Sequence, residues 1–484
     1  MGIRRQPESD AAYVNIPSDS RETSSVESIV ENSGLKALSN FCQRAIWILA
    51  GSTLIGFALC TLWWDPIVSD EVQQENPQSN NQPSIVQEEC NPFQQLGYLH
   101  YNQTDYGDNT WRPYQKECRP SNLFSKLKQD LLVNSRAEND ERFKWLQNRT
   151  LVLIGDSIER WHLFDFCTML NEAPGSTEES PIFLNDPPAE TYYINADSPL
   201  SPKPFHFDPI DPTKPPSNWP VGEEDLFKFQ SPIWESGKNN PNTTRPRVCR
   251  IEKYGFTAVN LFTWGLEPKN GGRIYANISG YYPPAEYTSR VTNIMKPLLT
   301  NLAEHYKNPN IEKPDLIEMA SGFWDLRQWG EEDFEESEEE PNSYSPIAFT
   351  DLDQGRLNWW STRMKRAVRF VSQNFPENQT PILWRSLHHT QRHYWVAFNR
   401  VFQLDQLARY NIQQLKSQDS VLKDRLRVDE SGYVGALMLG QEHHFRDVLH
   451  LAALPGAVLW ADIILWELKR AVLRRNYTHY QNVL

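Results

Sequence analysis

The chain has 484 residues, a formal net charge of −14 and 12% aromatic residues, 17 residues being Trp. That length suffices for one large domain or two ordinary ones with a sizeable core. The acidic balance argues against nucleic acid as the main partner, because phosphate binding needs a basic face.

Residues 1–44, rich in Ser, Glu and Asn, read as a disordered cytosolic tail. Residues 45–64 (AIWILAGSTLIGFALCTLWW) run without a charge and are long enough to span a bilayer core of about 30 Å. Trp63 and Trp64 stand where an interfacial aromatic belt is expected. A cleaved signal peptide is the poorer reading, since the segment follows a long polar tail and its apolar run is too long. Lys36 and Arg44 precede the span, and the next basic residue is Arg112. The positive-inside rule then predicts a type II signal anchor with residues 65–484 in the lumen of the secretory pathway.

Residues 65–89 lack a hydrophobic period and read as a luminal stem, so a folded domain is expected over 90–484. All six N-x-S/T sequons, at Asn102, Asn148, Asn242, Asn277, Asn378 and Asn476, follow the span. Four cysteines also follow it, and four allow three pairings. Proximity in the chain favours Cys90–Cys118 and Cys167–Cys249.

Short apolar runs at 150–155, 256–263, 315–320 and 381–386 predict strands covered on both faces. Helical patterns occupy 158–171, 286–306, 357–374, 397–416 and 456–474, and in the third of these Trp360, Met364, Val368 and Val371 form one stripe. This alternation predicts an α/β fold with a central parallel sheet. The proline-rich segment 174–247 is expected to form loops around a site. The run EEDFEESEEE, 331–340, reads as a solvated mobile loop rather than a cation site.

The chemistry begins at LVLIGDSIER, where Gly155, Asp156 and Ser157 end the first of these strands. Ligands of open parallel sheets bind where strands give way to helices. A serine there needs a base to take its proton and a third group to orient that base. The bland alternative is a helix N-cap. Near the C-terminus, DVLH offers Asp447 and His450, whose spacing lets both side chains point to one place. His450 is then the candidate general base and Asp447 its orienting carboxylate. The histidines His388, His389 and His393 could suggest a metal, but no carboxylate accompanies them at a suitable helical spacing and Arg392 would oppose a cation. No bound cofactor is expected.

GDS after the first strand with D-x-x-H near the C-terminus resembles the SGNH, or GDSL-type, hydrolase superfamily. More narrowly, the chain resembles the PC-esterase branch, which includes the trichome-birefringence-like glycan O-acetyltransferases. The blocks carrying the likeness are GDSIER with Arg160, YGFTAVNLFTW ending in Trp264, DLIEMASGFW with Ser321, Gly322 and Trp324, LWRSLHH with Arg385, and DVLH…LPG…W with Leu454, Pro455, Gly456 and Trp460. Together they cover most of residues 90–484 in the family's order. The likeness implies an SGNH-like three-layer α/β/α domain with long insertions, a Golgi-type membrane location, and a triad of Ser157, Asp447 and His450. It further implies transfer of an acyl group, most simply acetyl from acetyl-CoA or another acetyl ester, to a glycan.

Departures from the family pattern are also present. Cys167 lies one residue nearer the serine than in the plant members, and LPG one residue further from the histidine. Trp324, followed by Asp325, stands where the superfamily offers an oxyanion-binding Asn. The oxyanion is therefore expected to rely on the Ser157 N–H, backbone near Gly265 or Gly322, and the cations Arg160 or Arg385, with Arg385 read as a site cation rather than a structural ion-pair partner. Trp264 and Trp324 read equally as core or as sugar-stacking residues. Water as acceptor would make the same triad a carbohydrate O-acetyl esterase. A third reading is an inactive glycan-binding protein on this fold.

Overall fold

The computed structural model describes residues 90–102, 108–132, 141–176, 180–194, 198–202, 244–266, 284, 286–376, 380–428 and 444–483. The expected tail, span and stem (1–89) lie outside these residues. Among the described residues no helix is long and apolar enough to cross a membrane.

Residues 89–484 form one compact unit. Its centre is a seven-stranded sheet whose strands lie in space in the order Ala189–Tyr193 (β4), Arg247–Ile251 (β5), Phe256–Phe262 (β6), Thr150–Gly155 (β3), Leu316–Met319 (β7), Ile382–Trp384 (β8) and Leu426–Val428 (β9), so that β3 sits between β6 and β7. The five strands β6, β3, β7, β8 and β9 run parallel. β5 pairs antiparallel both with β6 and with the edge strand β4, so the sheet is mixed rather than wholly parallel. β4 lies within the segment expected to be only loops and β5 starts at its last residue; Val248, Cys249 and Ile251 are buried, but Arg247 and Arg250 interrupt the apolar run. A separate hairpin, β1 (Gly97–His100) with β2 (Thr110–Pro113), stands at the start of the domain.

Alternation along each central strand sorts its side chains to two cores. Val152 and Ile154, Val259 and Leu261, and Ile317 and Met319 face one core; Leu151 and Leu153, Phe256 and Ala258, and Leu316 face the other. The helices α1 (Leu123–Leu132), α2 (Ser157–Leu170) and, last in the chain, α9 (Val458–Val483) cover the second face. The first face is covered by α3 (Tyr287–Arg290), a π-helical turn Val291–Met295, α4 (Lys296–His305), α5 (Phe323–Ser337), α6 (Gln354–Asn374) and α7 (Phe398–Gln418). A short α8 (Ser420–Arg425) leads into β9. Helices on both faces of a mostly parallel sheet are compatible with a three-layer α/β/α fold.

Two disulfides, Cys90–Cys118 and Cys167–Cys249, are the pairs favoured by chain proximity. The second ties α2 to β5. The acidic run differs from expectation: residues 331–337 are the last turns of α5 rather than a loop. Phe334 is buried there. Asp333 pairs with Arg400 at 2.5 Å and Arg356 at 2.7 Å, and Arg327 pairs with Glu331 at 2.9 Å. Arginines from α6 and α7, distant in sequence, are what hold this acidic helix.

Candidate active site

Four parallel strands leave the sheet at one edge, and each exit supplies part of the site. The β3 exit carries Ser157, the β6 exit Gly265, the β7 exit Ser321 and Gly322, and the β8 exit Arg385.

At the β3 exit the backbone turns at Asp156, which caps α2: its Oδ1 accepts a hydrogen bond from the Ile158 N–H at 2.8 Å. Glu159 answers, its Oε2 accepting from the Asp156 N–H at 2.8 Å. This reciprocal capping box satisfies two orphan donors and fixes the turn. The Glu159 carboxylate lies so close under the strand end that a Cβ on Gly155 would meet Oε2 at 2.1 Å, so only glycine fits. Burial, then the Glu159 charge, pushes the Asp156 carboxyl up to about 7, against the pull of Arg385. Ser157, 7% exposed, is the first residue of α2.

The C-terminal segment brings the other two groups. His450 Nε2 lies 2.7 Å from Ser157 Oγ, and His450 Nδ1 lies 2.7 Å from Asp447 Oδ2. Asp447 Oδ1 accepts from the backbone N–H groups of Leu449 and His450, at 2.8 and 2.7 Å. Burial raises this carboxyl, but the His450 hydrogen bond, the imidazole charge and the two backbone donors prevail and hold it at about 2. Asp447 therefore stays an acceptor, which assigns the proton on neutral His450 to Nδ1 and leaves Nε2 free to accept from the serine. The candidate nucleophile, base and orienting carboxylate thus stand in one hydrogen-bonded line.

Arg446 anchors this segment to α2. Its guanidinium reaches Asp165 at 2.5 Å, lies 4.3 Å over the Trp161 ring, and donates to the Leu451 carbonyl at 3.0 Å. Gly456 lets the chain close up behind: a Cβ there would meet Leu451 Cβ at 2.6 Å. Neither Arg446 nor Glu159 was named as a site residue from the sequence. The D-x-x-E spacing of Asp156 and Glu159 is a readable capping signal, whereas nothing local announces that Arg446 finds Asp165.

The remaining expected residues divide. Gly265 and Gly322 both adopt positive φ, 109° and 142°, in the turns beside the serine's strand. The Asp325 carboxylate links these turns, accepting from the Leu266 N–H at 3.4 Å, Ser321 Oγ at 3.2 Å and Trp360 Nε1 at 3.0 Å. Burial pushes it up to about 6 against those donors. Asp325 thus has a carboxylate's role as acceptor, tying turns rather than facing an oxyanion. Trp324 is half-buried against Phe262, with Arg327 5.2 Å over its ring. Trp264 is 2% exposed and belongs to the core. Arg160 is buried, with its guanidinium 5.7 Å over Phe262.

Arg385 corrects the expectation of a site cation. It is buried in an ion pair with Glu159, also buried, and donates from Nη1 to the Ser386 carbonyl at 2.9 Å. The capping carboxylate beneath the nucleophile needs a counter-charge, because an unpaired buried carboxylate is costly. The arginine answers that need.

Among the described residues, Glu159, His162 and Glu318 bring possible metal-ligand atoms within 4.8 Å of one another, all buried. The carboxylates already have donors: Glu159 receives Arg385 and the Asp156 N–H, and Glu318 receives Trp460 Nε1 at 3.1 Å. His162 stacks on Trp460 at 4.8 Å, and burial holds it well below the usual imidazole range. The HHTQRH histidines serve separate ends: His388 meets the Leu449 carbonyl, His389 stacks on Phe398, and His393 Nδ1 accepts the Trp395 N–H. A groove of about 630 Å³ lined by Lys296, Thr300, Lys313, Pro314, Phe375 and Thr380 sits where β7 and β8 begin, at the sheet edge opposite the triad.

No protein-family model, no curated protein and no solved structure matches this chain.

Proposed function

We propose that the chain is a serine-dependent O-acyltransferase, most simply an O-acetyltransferase, whose acceptor is a glycan hydroxyl. The observation that carries the reading is the unbroken line Ser157–His450–Asp447, with two 2.7 Å hydrogen bonds, of which the Ser157–His450 one joins opposite ends of the domain. Ser157 Oγ attacks the carbonyl of an acetyl ester while His450 Nε2 takes its proton, and the imidazolium is stabilised by Asp447. The leaving group departs with that proton, leaving an acetyl-serine. A sugar hydroxyl then attacks the acetyl carbonyl as His450 removes its proton, and Ser157 is regenerated. The developing oxyanion falls to the Ser157 N–H at the start of α2 and to backbone at the Gly265 and Gly322 turns.

In this reading the protein is a member of the PC-esterase branch of the SGNH superfamily. Residues 45–64 hold it in a Golgi-type membrane with the domain in the lumen, where two disulfides are at home. One observation favours the esterase as a second reading. The Asp447 side chain is 43% exposed, so water reaches the rim of the triad.

The test is incubation of the full chain in detergent with an activated acetyl ester, with and without a panel of secretory and wall oligosaccharides. Mass spectrometry follows acetyl on Ser157 and on the glycan, with Ser157→Ala as control. Acetyl on the glycan with the wild type only establishes the transferase. Acetate released at a rate indifferent to glycan establishes the esterase. A folded wild type that behaves like Ser157→Ala ends the serine mechanism and leaves the binding-protein reading.

A further inference from the structure

Ser157 is placed by a strand and a helix, whereas Asp447 and His450 lie on bends closed by an isolated antiparallel bridge between Phe445 and Leu451, with the Arg446 N–H donating to the His450 carbonyl at 2.9 Å and Asp447 capping the Leu449 and His450 N–H groups. Those bonds shape the loop itself, and contacts with neighbouring elements place it against the serine turn. One side is Arg446 on Asp165. The other is the segment leaving β8, residues 385–391, which touches the cap below Ser157, the Gly322 turn and the backbone before His450. Arg385 holds the Glu159 carboxylate under the nucleophile turn. Leu387 packs on Gly322, where a Cβ would meet its Cδ1 at 2.8 Å. The Gln391 N–H donates to the Val448 carbonyl at 2.9 Å. His388 Nε2 lies 2.9 Å from the carbonyl of Leu449, the residue before His450.

His388 is the unexpected member. It is 3% exposed, its ring edge set against Phe323 at 5.0 Å and tilted on Phe445 at 6.3 Å. A leucine or phenylalanine would fill that place without the cost of burying an imidazole. Since a carbonyl only accepts, the His388 proton is on Nε2. Burial, then the Arg385 charge, holds the ring down at about 3, so this donor is a neutral imidazole throughout the working range.

We propose that His388 is the positioning residue that holds the His450 imidazole in register with Ser157, by fixing the Leu449 carbonyl from the β8 exit. The proposal rests on the acyl-transfer reading for its kinetic consequence, and on geometry alone for its structural one. It takes no part in the proton transfers themselves.

The test compares two variants of the full chain in detergent. His388→Phe keeps the ring packing and removes the donor; His388→Gln keeps an N–H donor at nearly the same reach. With an activated acetyl ester, His388→Phe is expected to lower kcat by about 10- to 100-fold with KM within about threefold, the effect of misplacing a catalytic group by a fraction of an ångström. His388→Gln is expected to recover kcat to within about threefold of the wild type by restoring the donor. In ¹⁵N-histidine-labelled protein, the His450 Nδ1 proton resonance should broaden or vanish in His388→Phe and persist in His388→Gln. Wild-type kcat and an unchanged resonance in His388→Phe overturn the proposal. So do equal losses in two folded variants, because packing alone would then explain them. Should His388→Phe not fold, His388→Gln decides alone: a lost resonance with a wild-type melting temperature overturns it, and a retained resonance and kcat support it. A wild type without Ser157-dependent turnover removes the acyl-transfer reading, while the resonance comparison still judges His388.

Discussion

The turn that carries Ser157, the candidate nucleophile, and the segment that carries Asp447 and His450, the candidate acid–base pair, meet at one 2.7 Å hydrogen bond but are built on different principles. Ser157 sits between a fully buried strand and a 14-residue helix, and the capping box of Asp156 and Glu159 closes the turn from within. Asp447 and His450 sit on bends closed by the Phe445–Leu451 bridge, and the placement of that loop against the serine is set by Arg446, His388 and Gln391. The first region is over-determined by local structure; the second depends on a few long-range polar contacts. Damage to the first should appear as lost stability, and damage to the second as lost rate in a protein that still folds.

The largest effect expected is chemical and tests whether the two regions work as one unit. Ser157→Ala and His450→Ala should each lower acetyl-serine formation or turnover by about 10⁴-fold or more. The double variant should be little worse than either single. Additive losses, measured under single-turnover conditions, would mean the two groups do not act together.

Next comes the stability of the nucleophile turn. Arg385→Met leaves Glu159 buried without its counter-charge and should cost about 3–5 kcal/mol in urea unfolding. Adding Glu159→Gln should return part of that loss. If Arg385→Met unfolds at the wild-type urea midpoint, the buried pair is not what holds the turn.

Acidity separates scaffold from loop. Asp462 on α9 accepts from the Phe124 N–H at 2.8 Å, and burial pushes it up to about 8 against that hydrogen bond. Its folded value lies above the unfolded value of about 3.9. The unfolded chain therefore loses this proton first, and stability falls as pH rises from about 4 to about 8. Asp462→Asn keeps the acceptor and should flatten that slope. Asp447 has the opposite sign: its folded value, about 2, lies below the unfolded one. Its contribution is present above about pH 4 and is lost as pH falls towards about 2. Because the side chain is 43% exposed, the contribution is small and Asp447→Asn should alter only the acid limb. Urea midpoints measured from pH 3 to 9 check both signs.

The smallest effect expected is at the rim. Arg446→Ala takes its arginine from Asp165, a buried carboxylate, so it should cost about 1–3 kcal/mol of stability. It frees one side of the acid–base segment, and kcat should fall by about tenfold or more, since orientation is steeply coupled to rate. A wild-type kcat in Arg446→Ala would place the burden of registry on the β8 side.

Much of this architecture is legible in the chain because its physical signal is local. Continuous apolar runs such as TLVLIG mark strands covered on both faces, and the stripe of Trp360, Met364, Val368 and Val371 marks a helix with one buried side. A turn to Gly-Asp-Ser after a buried strand, and an Asp-x-x-His before a helix, display the candidate triad by residue type and spacing. Where signal and cause lie in different parts of the chain, local reading fails. The acidic stretch 331–337 looks like a solvated loop until Arg356 and Arg400 are brought to it. The strands β4 and β5 lie hidden among prolines and arginines, and β5 completes its hydrogen bonds only by pairing with β6 on one side and β4 on the other. Arg385 looks like a free cation at a strand end until Glu159 arrives beneath it. By itself, then, the sequence determined which segments become buried strands and amphipathic helices and which residues carry reactive groups, because periodicity and side-chain chemistry are properties of neighbours in the chain. Only the tertiary structure decided which charges pair, which carboxylates rise or fall in acidity, and which imidazole faces the serine, because those depend on distance and burial between residues that the chain itself keeps far apart.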